Sequence, residues 1–299
     1  MKEEMPGVNY HIPALPEETL QHLIGNPQGT YVDLTLGCGG HSELILQRYA
    51  DVKVIGIDVN TQTLELAKDR LKPWGDRIIL GHGNFSDISS ILKELNIGQV
   101  DGFLFDLGPS SYEILDLDLG LSYQKDCDLD MRLSKKYFPV TGADFLNHQT
   151  EEELVTLLRS LADLSPGLSR KIAKAIINQR DSIKRFKTTY DLTSSIGTVT
   201  SNRKIWSRVF QALRIQVNKE LENLEAMLNA AIPLLKEGGR IVGISFHSLE
   251  DRIVKVFFRQ NKLDGRVKLL TKKPLGPTCG EVLRNPRARS AHLRAAVKI

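Results

Sequence analysis

Residues Tyr31–His41 read YVDLTLGCGGH, a short apolar run that leads into a loop with glycines at positions 37, 39 and 40. Glycines at a strand-to-helix turn let the backbone approach a ligand closely and reach conformations that other residues avoid. The spacing is GxGG rather than the GxGxxG of dinucleotide-binding enzymes. The loop therefore predicts either a ligand-binding turn or a tight structural turn.

Further apolar runs on both sides of this loop predict a parallel sheet. The runs are rich in Val, Ile and Phe, and segments with helical spacing of Leu, Ile and Ala separate the early ones. Strands that are apolar on both faces and alternate with helices are typical of an α/β fold. We predict strands at Thr30–Asp33, Val52–Asp58, Ile78–Leu80, Val100–Asp106, Arg240–Phe246, Arg266–Leu270 and Leu293–Ile299.

The strand pattern stops in the middle of the chain. From Pro109 to Lys204 the sequence shows helical segments and polar loops but no convincing strand. We therefore predict a helical insert at 109–205 within an α/β domain made of residues 1–108 and 206–299. A long amphipathic stretch, Val209–Leu235, predicts a helix that Gly238 and Gly239 end.

Length and composition exclude several protein classes. With 299 residues, 41% of them hydrophobic and 25% charged, the chain can bury a large core and is neither disordered nor fibrous. No run of roughly 18 apolar residues predicts a membrane span, and the opening MKEEMPGVNY does not resemble a signal peptide. Three cysteines without a CxxC pair and scattered histidines predict a reduced, cytoplasmic setting and no metal site.

Charge is distributed unevenly along the chain. Residues 252–299 hold 13 Lys or Arg and two acids, a net charge of +11, whereas the whole chain carries only +4. A basic segment on an otherwise acidic body is typical of proteins that bind nucleic acid, and a solubilising surface is the alternative.

Acidic residues at the predicted strand ends indicate which cofactor the glycine loop could take. Asp58 lies 21 residues after Gly37, near the offset at which a carboxylate reaches a ribose diol. This suits NAD or S-adenosylmethionine. Asp33, four residues before Gly37, favours the second, because a carboxylate stabilises a cationic sulfonium but not a pyrophosphate. Phe85 could lie against the adenine or pack in the core.

Asp106 follows the fourth predicted strand directly, in FDLGPSS. Ligands of such sheets bind beyond the carboxyl ends of the strands, so Asp106 is expected at the reacting centre. An acceptor there suits methylation of an exocyclic amino group, whose N–H groups must be held for in-line attack. A nucleophilic cysteine would be needed only for methylation at carbon, and none of the three cysteines is placed for it.

Six motifs together resemble one known family, the MraW (RsmH) family of 16S rRNA methyltransferases. The motifs, in chain order, are GCGGHSELIL, FDLGPSS, DLDMR, FQALRIQVNKEL, GGRIVGISFHSLEDRIVK and NPRARSAHLR. The resemblance runs from about His11 to Val297. It implies a Rossmann-like class I S-adenosylmethionine-dependent methyltransferase sheet with an inserted all-helical domain that recognises the substrate. It also implies a possible homodimer.

The resemblance also implies which residues hold S-adenosylmethionine. Glu113 stands where the family has a Gln. The implied cofactor contacts are Gly39, Gly40, His41, Asp58, Phe85, Asp106 and Glu113.

Two further segments supply candidate catalytic and RNA-binding residues. In SFHSLEDR, Ser248 and Asp251 resemble a helix capping box, which leaves His247 to contact the base or to serve as a structural histidine. In NPRARS, Arg287 and Arg289 would project from one side of an extended chain, suited to phosphate. The expected RNA-binding residues are Arg252, Arg287, Arg289 and Arg294.

The sequence thus predicts methylation of the N4 amino group of a flipped-out cytidine in the decoding region of 16S rRNA, with Asp106 and His247 as catalytic residues. The expected partner is 16S rRNA, within the small ribosomal subunit. Three alternatives remain at this stage. They are an NAD-dependent dehydrogenase, a catalytically weakened ribosome-assembly protein on the same fold, and an amino-methyltransferase with another nucleic-acid substrate.

Overall fold

The computed structural model describes residues 12–299, and the segment MKEEMPGVNY lies outside them. Within the described residues the strands are β1 Thr30–Asp33, β2 Lys53–Asp58, β3 Ile78–His82, β4 Val100–Asp106, β5 Leu235–Ser245, β6 Val267–Leu269 and β7 His292–Lys298. The α-helices are α1 Pro16–Leu23, α2 Gly40–Arg48, α3 Thr61–Leu71, α4 Ile88–Glu94, α5 Ser111–Leu115, α6 Gly142–His148, α7 Glu151–Ser160, α8 Pro166–Asn178, α9 Thr189–Gly197, α10 Arg203–Asn218, α11 Glu220–Leu234, α12 Ser248–Leu263 and α13 Cys279–Arg284. No helix among them is both long and apolar enough to cross a bilayer.

The chain forms two compact units, one of residues up to 110 together with 221–299, the other of residues 111–220. The predicted insert ended at 205, which falls inside the continuous helix α10. That boundary therefore moves to 220. The predicted single helix over Val209–Leu235 is likewise wrong, because the chain turns at Lys219, with φ +49°, between α10 and α11.

The first unit is built on a sheet with strand order β3-β2-β1-β4-β5-β7-β6. Strands β1 to β5 pair in parallel, and β7 runs antiparallel to both β5 and β6. The predicted α/β fold is confirmed. Strand β5 starts earlier than predicted, at Leu235, with a register shift against β4 between Val100 and Gly102.

Alternate residues of each strand bury both faces of this sheet. On one face Val32, Ile55 and Phe103 join a core with α4, α11 and α12. On the other face Tyr31 and Val54 join a core with α1, α2 and α3. Burial on both faces explains why the strands are continuously apolar in sequence. It also leaves the carboxyl ends of β1, β2 and β4 as a common edge.

The second unit is helical and has its own core. Apolar residues of α7, α8, α9 and α10 pack together in it, including Leu154, Ile172, Leu192 and Phe210. Threonines cap three of its helices, α6, α7 and α9, each in a box with an acid three residues on. These caps satisfy amide groups at the helix starts and define where the helices begin.

Candidate active site

The glycine loop connects β1 to α2 and is fastened to β2. Gly37 and Gly39 adopt φ values of +52° and +81°, so both use the left-handed region that favours glycine. A Cβ at Gly39 would lie 3.0 Å from a methyl carbon of Leu71, whereas a Cβ at Gly37 would face open space. The N–H of Gly37 donates to Oδ2 of Asp58 at 2.7 Å. The loop thus lies against Asp58, with open space beside Gly37.

Asp58 ends β2, and its carboxylate is held from three sides. Oδ1 accepts from the backbone N–H of Asn60 at 2.8 Å and from the hydroxyl of Thr63 at 3.2 Å. Because Oδ2 accepts only from Gly37, one of its lone pairs remains for a further donor such as a ribose hydroxyl. Burial raises the pKa of Asp58, and these hydrogen bonds act against the increase.

Asp33, at the end of β1, is a second buried carboxyl at this edge. The Ser42 hydroxyl donates to its Oδ2 at 2.7 Å, and the Thr35 N–H donates to Oδ1 at 3.3 Å. Burial raises the pKa of Asp33, while the nearby His41 lowers it. A cationic ligand beside Asp33 would stabilise its charged form further. Sequence reasoning missed Thr35 and Ser42, since only the folded loop brings them to the carboxylates.

His41 and Asp106 meet at the same edge. Nε2 of His41 lies 3.3 Å from Oδ2 of Asp106, and the Asp106 N–H donates to the Thr35 hydroxyl at 2.6 Å. Oδ1 of Asp106 is buried and has no hydrogen-bond partner among the described residues. An unpartnered buried carboxylate oxygen costs free energy, which a donor from a ligand would recover.

These observations fit the S-adenosylmethionine that the sequence resemblance implies. Asp33, Asp58 and Asp106 converge on the glycine loop and complement the positive charge of that molecule. Asp58 keeps an acceptor for a hydroxyl, and Gly37 leaves room for the ligand. The expected meeting of the loop, Asp58 and Asp106 at one edge is what the structure shows.

The remaining predicted cofactor residues have more varied surroundings. Gly40 begins α2, directly after Gly39. Phe85 is half-buried and packs against the core of the first unit, so a role at the adenine stays a prediction. Glu113 belongs to α5 of the second unit and is 6% exposed. Its contact with the cofactor also stays a prediction.

His247 has a structural role that the sequence interpretation assigned to Ser248. It is the N-cap of α12, its Nδ1 accepting from the Glu250 N–H at 3.4 Å. The Glu250 carboxylate accepts from the N–H groups of Phe246 and His247, and its other oxygen lies 3.0 Å from Nε2 of His247. The predicted box of Ser248 and Asp251 is wrong by one residue. Since Glu250 engages both ring nitrogens, the geometry favours the structural alternative for His247 over the catalytic one.

The four predicted RNA-binding arginines divide into two groups. Arg294 lies in β7 and forms a two-pronged ion pair with Asp251, at 2.7 and 3.0 Å, so the structure gives it a structural role instead. Arg287 and Arg289 are exposed and have no ion-pair partner in the described chain. They lie on a 3₁₀ turn, Pro286–Ser290, and the expectation of an extended segment is wrong. Arg252 is exposed in the first turn of α12.

Comparison with known proteins agrees with this geometry. Residues 8–299 match the model of the MraW methylase family. Proteins named ribosomal RNA small subunit methyltransferase H are similar to the chain along nearly its whole length. The one from Carboxydothermus hydrogenoformans is 42% identical, covering 97% of this chain and 98% of its own. The one from Thermotoga neapolitana is 40% identical, covering 96% of each. The one from Caldicellulosiruptor saccharolyticus is 41% identical, covering 97% of this chain and 99% of its own. The chain therefore belongs to the MraW methylase family of S-adenosylmethionine-dependent methyltransferases.

Proposed function

We propose that this methyltransferase acts on the exocyclic N4 amino group of a cytidine in the decoding region of 16S rRNA, within the small ribosomal subunit in the cytoplasm. Two findings support the proposal. Its curated relatives are named as methyltransferases of small-subunit ribosomal RNA. The buried Asp106 at the end of β4 carries an unpartnered oxygen beside the glycine loop. Membership of a methylase family removes the NAD-dependent dehydrogenase as an alternative.

The unpartnered oxygen of Asp106 is the observation that carries the proposed chemistry. The lone pair of a cytosine amino group is delocalised into the ring, so N4 is a weak nucleophile. A carboxylate that accepts an N–H bond orients N4 and stabilises the positive charge that develops there. His41, 3.3 Å from the other oxygen of Asp106, would keep the carboxylate in this orientation. His41 is thus a positioning residue.

S-adenosylmethionine, when bound, supplies an electrophilic methyl group on a positively charged sulfur. Transfer forms the N4–carbon bond and breaks the carbon–sulfur bond, whose electron pair remains on sulfur. The Asp106 carboxylate accepts the proton that N4 releases. A base inside a folded RNA cannot reach such an edge while stacked, so the proposal includes eversion of the cytidine.

Transfer of labelled methyl groups to small ribosomal subunits tests the proposal. The subunits should come from a strain that lacks this enzyme, and nucleoside mass spectrometry should follow digestion of the RNA. We expect N4-methylcytidine at one position and S-adenosylhomocysteine in equal amount. Label on another base, or on added DNA in preference to the subunits, would overturn the substrate. Cofactor binding without transfer to any particle would instead favour the assembly-protein alternative. The homodimer stays a prediction, which sedimentation equilibrium would test.

A further inference from the structure

A groove in the second unit carries positive charge that the site described above does not use. It has a volume of about 510 Å³, between α8, α9 and the turn that follows α8. This volume is within the range of about 300–1,000 Å³ that is typical of ligand sites. Lys171 and Lys174 line it, three residues apart and hence on one face of α8. Both lysines are exposed, and neither has an ion-pair partner within residues 12–299.

Polar groups without partners lie deeper in the same groove. The Gln179 side chain is 8% exposed, and no hydrogen bond holds its amide in the described chain. The Ser195 side chain is 1% exposed, and its Oγ likewise lacks a partner among the described residues. Buried amide and hydroxyl groups are normally hydrogen-bonded, so two unpartnered ones beside two free lysines indicate an absent polar ligand.

The backbone at this place is also unusual. Residues Gln179–Ile183 form a single π-helical turn, in which the Lys184 N–H donates to the Gln179 carbonyl five residues back at 2.9 Å. Such turns are rare and occur frequently at functional sites. Here the turn carries Ile183, which also lines the groove and is 72% exposed.

Charge identifies the kind of ligand. Residues 165–187 contain seven Lys or Arg and one acid, Asp181, for a net charge of +6. Asp181 is neutralised by Arg180 at 2.7 Å, and the buried Asp191 by Lys184 at 2.6 Å. No uncompensated carboxylate is therefore left on this segment to repel an anion. Lysines with amide and hydroxyl donors suit phosphate and sugar oxygens.

We propose that this groove binds the sugar–phosphate backbone of the RNA substrate, with Lys171 and Lys174 on phosphates and Gln179 and Ser195 on polar atoms of a nucleotide. The inference rests on the proposed function, since it concerns how that RNA is held. It adds a second cationic contact region to the one that sequence charge indicated near the carboxyl terminus.

The double variant Lys171→Gln/Lys174→Gln tests the groove, and Lys135→Gln/Lys136→Gln is the matched control. The control removes the same charge from exposed residues of the same unit that do not line the groove. Fluorescence anisotropy would follow binding of small ribosomal subunits to labelled protein between 50 and 200 mM salt. Two lost phosphate contacts, at about 0.7–0.9 per contact in the log–log slope, make the wild-type affinity fall about 7- to 12-fold more than that of the variant over this range. An unchanged slope in the groove variant, or an equal change in the control, would overturn the proposal.

A photocrosslinking residue, p-benzoylphenylalanine at Ile183, identifies the partner directly. We expect an adduct with 16S rRNA, weakened by Lys171→Gln/Lys174→Gln. An adduct with a ribosomal protein alone would contradict an RNA site. The titration of S-adenosylhomocysteine into the groove variant separates this inference from the proposed function. Normal cofactor affinity with a reduced salt slope supports the groove, whereas wild-type protein that makes no N4-methylcytidine refutes the proposed function and leaves the RNA measurement valid.

Discussion

The cofactor edge of the first unit and the groove of the second unit carry opposite charges. Three carboxylates, Asp33, Asp58 and Asp106, surround the glycine loop, whereas Lys171 and Lys174 line the groove. The two regions also differ in burial. The carboxylates are largely enclosed and hydrogen-bonded, while the lysines are exposed. A buried acidic site suits a small cation, and an exposed basic groove suits a long polyanion. Charge and burial together thus distinguish the two proposed ligands.

The largest effect is expected at Asp106. Asp106→Asn keeps the shape of the side chain but removes the charge that stabilises the developing positive nitrogen. Single-turnover methyl transfer should slow by about 10²- to 10⁴-fold. Asp69→Asn, at an exposed acid on α3, is the control and should leave the rate unchanged. A near-normal rate in Asp106→Asn would remove this carboxylate from the chemistry.

Asp58 tests the same edge through binding. Asp58→Ala removes the acceptor of the Gly37 N–H and the free lone pair assigned to a ribose hydroxyl. Hydrogen bonds to charged groups contribute about 1.5–3 kcal/mol, so S-adenosylhomocysteine should bind roughly 10- to 100-fold more weakly. Calorimetric titration measures this. Unchanged affinity would show that Asp58 only supports the loop.

The carboxyl-terminal arginines sharpen the comparison on the basic side. Arg287→Gln/Arg289→Gln should lower the salt dependence of RNA binding by about 0.7–0.9 in log–log slope per lost phosphate contact. Arg294→Gln breaks the pair with Asp251 and should instead lower stability, by roughly 1–3 kcal/mol, with the slope preserved. The reverse pattern would mean that Arg294 contacts RNA.

His247 tests whether the reacting edge extends to the end of β5. Loss of a helix cap costs about 0.5–2 kcal/mol, so His247→Ala should unfold at lower temperature and keep most of its transfer rate. His247→Asn, which can also cap α12, should recover much of the lost stability. A rate loss of 100-fold or more in a folded His247→Asn would return this histidine to catalysis.

The smallest effect concerns the pH dependence of stability at Asp33. Because burial raises its pKa in the folded state, the native protein binds this proton more tightly than the unfolded chain. The resulting stabilisation is complete below the unfolded pKa and is lost as pH rises through the folded pKa. Asp33→Asn removes the titration, so its melting temperature relative to wild type should rise from pH 4 to pH 8. A constant difference between the two proteins would contradict this account.

The two regions also differ in how far sequence predicted them. The glycine loop, Asp58 and Asp106 were predictable together, because each follows a strand of a parallel sheet and such ends share one edge. The cap of α12 was misassigned because Ser248 and Asp251 have the same three-residue spacing as His247 and Glu250. Only the position at which β5 ends decides between these pairs.

Other features depend on contacts between residues far apart in sequence. Arg294 meets Asp251 across 43 residues, and Ser195 lies on a different helix from Lys171 and Lys174. The end of α10 at Lys219 carries neither glycine nor proline as a signal. There the Asn218 side chain bonds to Met131 and Leu133, more than 80 residues earlier. Periodicity alone therefore could not show the break.

Titration calorimetry of the purified chain with S-adenosylmethionine tests the central claim, that the acidic edge around the glycine loop holds this cation. We expect one saturable site per chain, with a Kd below about 1 mM. Binding should be lost in Gly39→Val, which strains a residue at φ +81° and crowds Leu71. No binding by the folded wild-type protein, or undiminished binding by a folded Gly39→Val variant, would contradict the account.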